Sequence, residues 1–97
     1  MIIVTGSARA RPDTIDEAVD LSLQHVRRSR LEHGCLLHSV HRDVEDPHRL
    51  VFVEHWSNLD ALRAHFALPE SRAFSRAVTA LADESSIEIF EAEPIRV

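Results

Sequence analysis

The sequence predicts an α+β domain with the ferredoxin-like βαββαβ order, in which helices cover one face of a four-stranded antiparallel sheet. Segments of strand character and segments of helical periodicity alternate along the chain in that order. Two β-α-β units with antiparallel central strands give this architecture. At 97 residues, without repeats or a linker, the whole chain (1–97) is expected to form one domain.

The chain opens with a predicted strand and helix. Residues 2–8 begin with β-branched side chains, which favour a strand. Pro12 ends that strand, and Asp13 or Thr14 can cap the helix that follows. From residue 14 to about residue 31, apolar side chains recur at helical spacing, namely Ile15, Ala18, Val19, Leu23 and Val26.

Three polar side chains lie in or beside this apolar stripe. Ser22 and Ser29 fall within it, and His25 lies on its edge. Buried polar groups need partners or water. The two serines therefore indicate either a close approach of helix to sheet or a partly wet cavity under the helix, and both interpretations stay open.

The centre of the chain predicts a hairpin. Gly34 occupies the left-handed position that ends a helix. Residues 35–41 form the second strand, residues 42–49 form a charged loop, and residues 50–56 form the third strand. Strand alternation places Phe52, Glu54 and Trp56 on one face.

Alternation also assigns the side chains of the second strand. It places Cys35 on one face and His38 on the other. His41 is three residues from His38 and so points to the opposite face, which excludes joint metal ligation by this pair. No metal site is expected, although histidines from distant segments could still assemble one.

The remaining segments predict a broken helix and a last strand. Ser57 is expected to cap the helix after the third strand, with Asp60 in its first turn. Pro69 suits the first position of a restarted helix, whose apolar stripe consists of Phe74, Ala77, Val78 and Leu81. Residues 86–91 alternate in the manner of a strand.

Composition narrows the expected partners. The net charge is −5 and all eleven cationic side chains are arginines, without a basic block, so nucleic acid is not an expected partner. Cys35 is the only cysteine, which favours a reducing compartment. No apolar run approaches the roughly 18 residues of a membrane span. We therefore expect a cytoplasmic protein without membrane partners.

The uncovered face of the predicted sheet indicates a homodimer. This face carries apolar side chains such as Val51 and Val53, and no helix is left to cover them. A chain this small has a thin core, so packing this face on a second copy would remove further apolar surface from water.

Three motifs follow one another along the chain, namely Glu32-His33-Gly34-Cys35-Leu36, Asp46-Pro47, and Glu54-x-Trp56-Ser57 followed by Leu59, Ala61, Leu62, Ala64 and His65. In this order and spacing they resemble those of the antibiotic biosynthesis monooxygenase family of dimeric α+β barrel proteins. The resemblance covers almost the whole chain. The family contains cofactor-free quinol and anthrone oxygenases, haem-degrading enzymes and an isomerase of a phosphorylated signal.

Two departures from the family pattern bear on activity. His38 stands where relatives commonly carry tyrosine, which replaces a phenol by a group that titrates near neutral pH. The haem-degrading branch uses a histidine on the final helix and an asparagine in the first strand, but the matching positions here are Ser75 and residues 5–7. The resemblance therefore implies no haem degradation and no cofactor.

The resemblance and the residue chemistry together give a candidate site. Cofactor-free oxygenation requires an apolar pocket, a base and a donor for the developing oxyanion. His38 and His65 are the candidate acid/base groups, and Glu54 either orients one of them or is itself the base. The expected substrate-contacting residues are Phe52, Trp56, Phe66, Phe74, Ser22 and His25.

Each of these residues also fits a structural role, and the sequence leaves the choice open. Trp56 fits a core position, Glu54 fits an ion pair across the dimer, and His38 fits a hydrogen-bonded buried histidine. His65 lies at the margin of its helix's apolar stripe, which is formed by Leu59, Leu62 and Phe66.

We expect a cofactor-independent monooxygenase that oxidises a small aromatic quinol, phenol or polyketide-like substrate with dioxygen. This function predicts a cavity of aromatic size between helices and sheet. An isomerase of a small phosphorylated hydroxyketone is the first alternative, with Arg63 or Arg72 at the phosphate. The second is a non-catalytic dimeric binding module, which a cavity filled by its own side chains would favour.

Overall fold

The computed structural model describes all 97 residues. Its elements are β1 (Ile2–Ala10), α1 (Ile15–Ser29), β2 (Cys35–Arg42), β3 (Arg49–Trp56), α2 (Leu59–Ala67), α3 (Pro69–Leu81) and β4 (Ala82–Glu91). The strands form one antiparallel sheet in the order β2-β3-β1-β4. Since α2 and α3 share the place of the second helix, the α+β ferredoxin-like βαββαβ fold is confirmed.

Two apolar clusters form the core between the helices and one face of the sheet. The first consists of Ala8, Ala10, Ala18, Val26, Leu50, Phe52 and Val78, and the second consists of Ile2, Val4, Trp56, Ala61 and Leu62. On β3, Glu54 lies between Phe52 of the first cluster and Trp56 of the second, and all three are buried as strand alternation predicts. The sheet therefore places a carboxylate between the two halves of the core.

A β-bulge in β2 changes the predicted faces of that strand. Cys35 lies opposite Trp56, but Leu37 already lies opposite His55, so β2 accommodates one extra residue. Cys35 therefore packs against the second apolar cluster, on the same face as buried His38. The prediction that Cys35 and His38 occupy opposite faces was wrong because simple alternation does not allow for the bulge.

Both predicted helix ends near the site need correction. The N-cap of α2 is Asn58, not Ser57, because Asn58 Oδ1 accepts a hydrogen bond from the Ala61 N–H at 2.9 Å. Helix α1 ends at Ser29 with Arg30 as its C-cap in the right-handed conformation. Gly34, at φ +81°, instead shapes the turn that enters β2.

Strand β4 begins at Ala82, four residues before the predicted start at residue 86. The long strand β1 supplies pairing partners as far as Ala10, and this pairing extends β4 through residues with little strand propensity. Most of β4 is exposed, including the apolar side chains of Ile87, Ile89 and Phe90.

No helix in the structure is both long enough and apolar enough to cross a membrane.

Candidate active site

Four ionisable side chains from four elements converge between the two apolar clusters. They are His25 of α1, His38 of β2, Glu54 of β3 and His65 of α2, and all four are buried. Strand pairing sets His38 opposite Glu54. The centroids of the three imidazole rings are 5.2, 5.3 and 5.5 Å apart, so the rings form a nearly equilateral triangle.

The carboxylate of Glu54 is the anionic centre of this cluster. Its Oε1 accepts a hydrogen bond from Trp56 Nε1 at 2.9 Å and lies 3.3 Å from His38 Nε2 and 3.9 Å from His65 Nε2. Burial raises the pKa of Glu54, but the neighbouring His38, the Trp56 N–H and His65 more than offset this, so that the pKa is lowered. Glu54 therefore stays ionised and is poorly suited to act as the base.

His65 lies at the centre of the buried face of α2, not at its margin. The buried residues of this helix are Ala61, Leu62 and His65, whereas Leu59 and Phe66 are more than a third exposed. The predicted phase was wrong because it assumed that the two larger apolar side chains face the core. With His65 on the buried face, its Nε2 lies 3.9 Å from Glu54 Oε1.

Glu32, in the turn between α1 and β2, fixes the tautomer of His65. Its two carboxylate oxygens lie 2.8 and 3.0 Å from His65 Nδ1. A carboxylate only accepts hydrogen bonds, so Nδ1–H donates, and in the neutral ring it is Nε2 that carries the lone pair. Sequence reasoning placed Glu32 in a family motif but missed it as a site residue.

His25 is held in the opposite tautomer. Its Nδ1 lies 2.8 Å from Nη2 of Arg28, and a guanidinium can only donate. Burial, followed by the nearby His38, His65 and Arg28, lowers the pKa of His25 to about 3, so the ring is neutral at neutral pH. Since Nδ1 accepts, the single proton of the neutral ring is on Nε2, which is therefore a donor.

A cavity of about 450 Å³ lies against this cluster. Its polar end is formed by His25, Glu54 and His65. The rest of the lining is apolar or hydroxylic and includes Phe52, Phe66, Phe74, Val78, Ile87, Ser71, Ser75, Ser85 and Ser86, together with Arg72. Phe74 also stacks on His25, with ring centroids 3.9 Å apart. The volume suits a small aromatic molecule.

Comparison with known proteins identifies the family. The family model described as "Antibiotic biosynthesis monooxygenase" matches residues 1–77, which is most of the chain. The chain belongs to the antibiotic biosynthesis monooxygenase family. The structure is similar to a Deinococcus radiodurans protein provisionally named as such a monooxygenase, with a TM-score of 0.94 and 31% identity, covering 100% of this chain and 98% of that one.

Two further relatives support this assignment. A solved structure named antibiotic biosynthesis monooxygenase has a TM-score of 0.88 and 26% identity, covering 97% of this chain and 100% of that one. An uncharacterised Synechocystis protein, sll1783, is 32% identical over 91 residues, which is 93% of this chain. The chain spans only 62% of the length of that Synechocystis relative. Proteins of the family are typically dimeric.

Two of the three motifs that resemble the antibiotic biosynthesis monooxygenases meet at the cluster. Glu32 comes from the first motif, and Glu54, Trp56 and His65 come from the third. The second motif lies elsewhere, since Asp46 pairs with Arg9 at 3.1 Å and with Arg49 at 3.5 Å, and so joins the hairpin loop to the sheet.

The structure groups most of the predicted site residues. It brings together His38, Glu54 and His65, and it places Phe52, Phe66, Phe74 and His25 on the cavity. His38, Trp56 and Ser22 do not line the cavity; Trp56 is fully buried beside Glu54, and Ser22 Oγ has no hydrogen-bond partner. The catalytic and binding roles stay predictions.

Proposed function

We propose that this family member is a cofactor-independent monooxygenase that oxidises a small hydroxyaromatic substrate, of the quinol or anthrone type, with dioxygen. The main support is a single cavity that has a histidine acceptor and a histidine donor at its polar end. His65 offers the lone pair of Nε2, and His25 offers the hydrogen of Nε2. Membership of the family and the names of its relatives agree with this chemistry.

His65 is the proposed base. Glu32 holds the ring with Nδ1–H directed at its carboxylate, so that Nε2 can take the acidic proton of the substrate. The cation that results lies between two carboxylates, those of Glu32 and Glu54. Both carboxylates attract the positive charge that the transferred proton brings to the ring.

His25 is the proposed donor to the substrate oxygen. Arg28 holds its Nδ1 as an acceptor, and the low pKa keeps the ring neutral, so Nε2–H can donate to an oxyanion without releasing its proton. Phe74 stacks on the ring and fixes its plane.

The reaction needs no electron source other than the substrate. After His65 removes the proton, the substrate anion transfers one electron to dioxygen, and the two radicals combine into a carbon hydroperoxide once a proton is returned. Loss of water from this group leaves a new carbonyl. One oxygen atom enters the product and the other leaves as water, and the oxidised carbon supplies all four electrons.

Oxygen uptake by the chelator-treated protein tests this proposal with a panel of quinols and anthrones. His65→Ala removes the base, and a lost acid/base group typically costs about 10²- to 10⁴-fold in rate. His33→Ala is the matched control, because His33 is exposed and adjoins Glu32 in the same turn. Equal rates for His65→Ala and the wild type would contradict the assignment.

One observation favours the isomerase as the second candidate. Arg72 lines the cavity without a carboxylate partner, and it could bind an anionic group there. Arg63, in contrast, lies 3.7 Å from Asp60 on the surface and does not line the cavity. An isomerase would turn over a phosphorylated hydroxyketone without oxygen and would show a raised KM in Arg72→Ala. The open cavity gives no support to a module filled by its own side chains.

A further inference from the structure

We propose that His25, His38 and His65, together with Glu54, form a binding site for one divalent first-row transition-metal ion. One ring nitrogen from each histidine lies within 4.8 Å of the other two, and all three residues are buried. The site goes beyond the proposed oxygenase chemistry, which uses no metal.

The distances within the cluster are close to those of a tetrahedral site. Ligand atoms at 2.0–2.1 Å from zinc lie about 3.3 Å from one another. Glu54 Oε1 is already 3.3 Å from His38 Nε2 and 3.9 Å from His65 Nε2. The widest gap between ring nitrogens needs to close by at most about 1.5 Å, which modest side-chain rotation provides.

His38 supplies a second, independent observation. Its side chain is 0% exposed, and neither ring nitrogen has a hydrogen-bond partner. Its approach to Glu54 at 3.3 Å does not have hydrogen-bond geometry. A buried imidazole without partners is costly unless something at the site binds it. A metal ion among the three rings would satisfy the free nitrogen that faces the cluster.

Glu32 already makes the contact that supports a metal-binding histidine. Ligating histidines usually donate their other ring N–H to a carboxylate, which fixes the ring and leaves the second nitrogen for the metal. His65 Nδ1 makes this contact with Glu32 at 2.8 Å, and its Nε2 faces Glu54. Three imidazoles and one carboxylate suit zinc and the neighbouring first-row ions.

One hydrogen bond must be given up when the metal binds. If His25 ligates through Nε2, its proton moves to Nδ1, and Nδ1 can no longer accept from Arg28. The Arg28 guanidinium must then turn away from His25; the residue is only half-buried, although its Nε is buried without a partner. One hydrogen bond is thus exchanged for one metal–nitrogen bond.

The metal-bound and base forms of His65 exclude each other, because both use the lone pair of Nε2. If the proposed function is right, zinc bound here inhibits the cofactor-free reaction. This part of the inference rests on the proposed function, whereas metal binding itself does not.

Titration of the untagged, chelator-treated protein with Zn²⁺ by calorimetry, and with Co²⁺ by visible absorption, tests the site. We expect about one ion per chain, the intense cobalt bands of a four-coordinate site and a raised Tm. His38→Ala should weaken binding by at least about 10-fold. His41→Ala, on the opposite face of the same strand, should bind as the wild type does.

Absence of saturable binding to the wild type would overturn the proposal, as would equal weakening in His38→Ala and His41→Ala. Should His38→Ala not fold, Glu54→Gln replaces it, with the same expected direction and the same control. Oxygen uptake separates the two proposals. If the protein binds the metal but takes up no oxygen, only the oxygenase proposal is contradicted. If it takes up oxygen but binds no metal, only the metal-site proposal is contradicted.

Discussion

The contact between Glu32 and His65 shows what a single residue contributes to this site. The two residues are 33 positions apart, and their side chains meet at 2.8 Å because the turn after α1 crosses the buried face of α2. No periodicity in the sequence predicts such a crossing. Glu54, in contrast, could be predicted to face the helices, because strand alternation places it between Phe52 and Trp56.

Substitution of Glu32 by glutamine tests its positioning role. The amide keeps the size of the side chain but can present either an acceptor or a donor to His65, so the tautomer of the ring is no longer fixed. We expect kcat for oxygen uptake to fall by about 10- to 100-fold, with little change in KM.

Glu45→Gln is the control, since Glu45 is exposed in the hairpin loop. A merely structural role for Glu32 would lower the thermal stability of Glu32→Gln and leave kcat unchanged for the folded fraction. That result would contradict the positioning role.

At the scale of elements, Gly34 joins the turn before β2 to helix α2. Its φ is +81°, and a Cβ added there would lie 2.5 Å from Ala61 Cβ and 2.8 Å from Ser57 Oγ. Both the conformation and the space thus require glycine. We expect Gly34→Ala to lower the free energy of unfolding by about 1–3 kcal/mol or more, as measured by urea denaturation.

Gly6→Ala provides the matched comparison for Gly34→Ala. A Cβ at Gly6 would meet Phe52 Cβ at 3.6 Å, which is an ordinary contact. We expect a change in unfolding free energy of no more than about 0.5 kcal/mol. Equal losses in the two variants would contradict the account of the turn.

The order and type of the elements could be predicted because each depends on a local pattern. Apolar spacing indicated α1, alternation indicated β3, and Pro69 indicated the restart at α3. The errors arose where distant pairing overrides such patterns. β4 starts early because its pairing with β1 continues as far as Ala10 and Ala82. The bulge in β2 follows from its pairing with β3.

At the scale of the whole molecule, the outer face of the sheet predicts self-association. Val51 and Val53 are only half-buried there, and Phe90 of β4, which pairs with Ile3 of β1, is about half exposed on the same face. Apolar surface of this kind is often buried against a partner. Family members are typically dimeric, and we propose a homodimer for this chain as well.

Sedimentation analysis at micromolar concentration tests the homodimer. We expect the mass of two chains for the wild type and a shift to one chain for Val53→Arg, because a buried charge without a partner opposes association. Ala64→Arg, on the exposed side of α2, should stay dimeric. A wild type with the mass of one chain would contradict the proposed assembly.

The most direct measurement of the central claim uses isotopically labelled dioxygen with the metal-free protein and the anthrone that gives the fastest uptake. We expect one labelled atom in the quinone and the other in water, at a rate that His65→Ala lowers by about 10²-fold or more and His33→Ala leaves unchanged. A cofactor-free monooxygenase at this site would be contradicted if labelled product formed no faster than by autoxidation with every substrate of the panel. It would also be contradicted if His65→Ala formed the product at the wild-type rate.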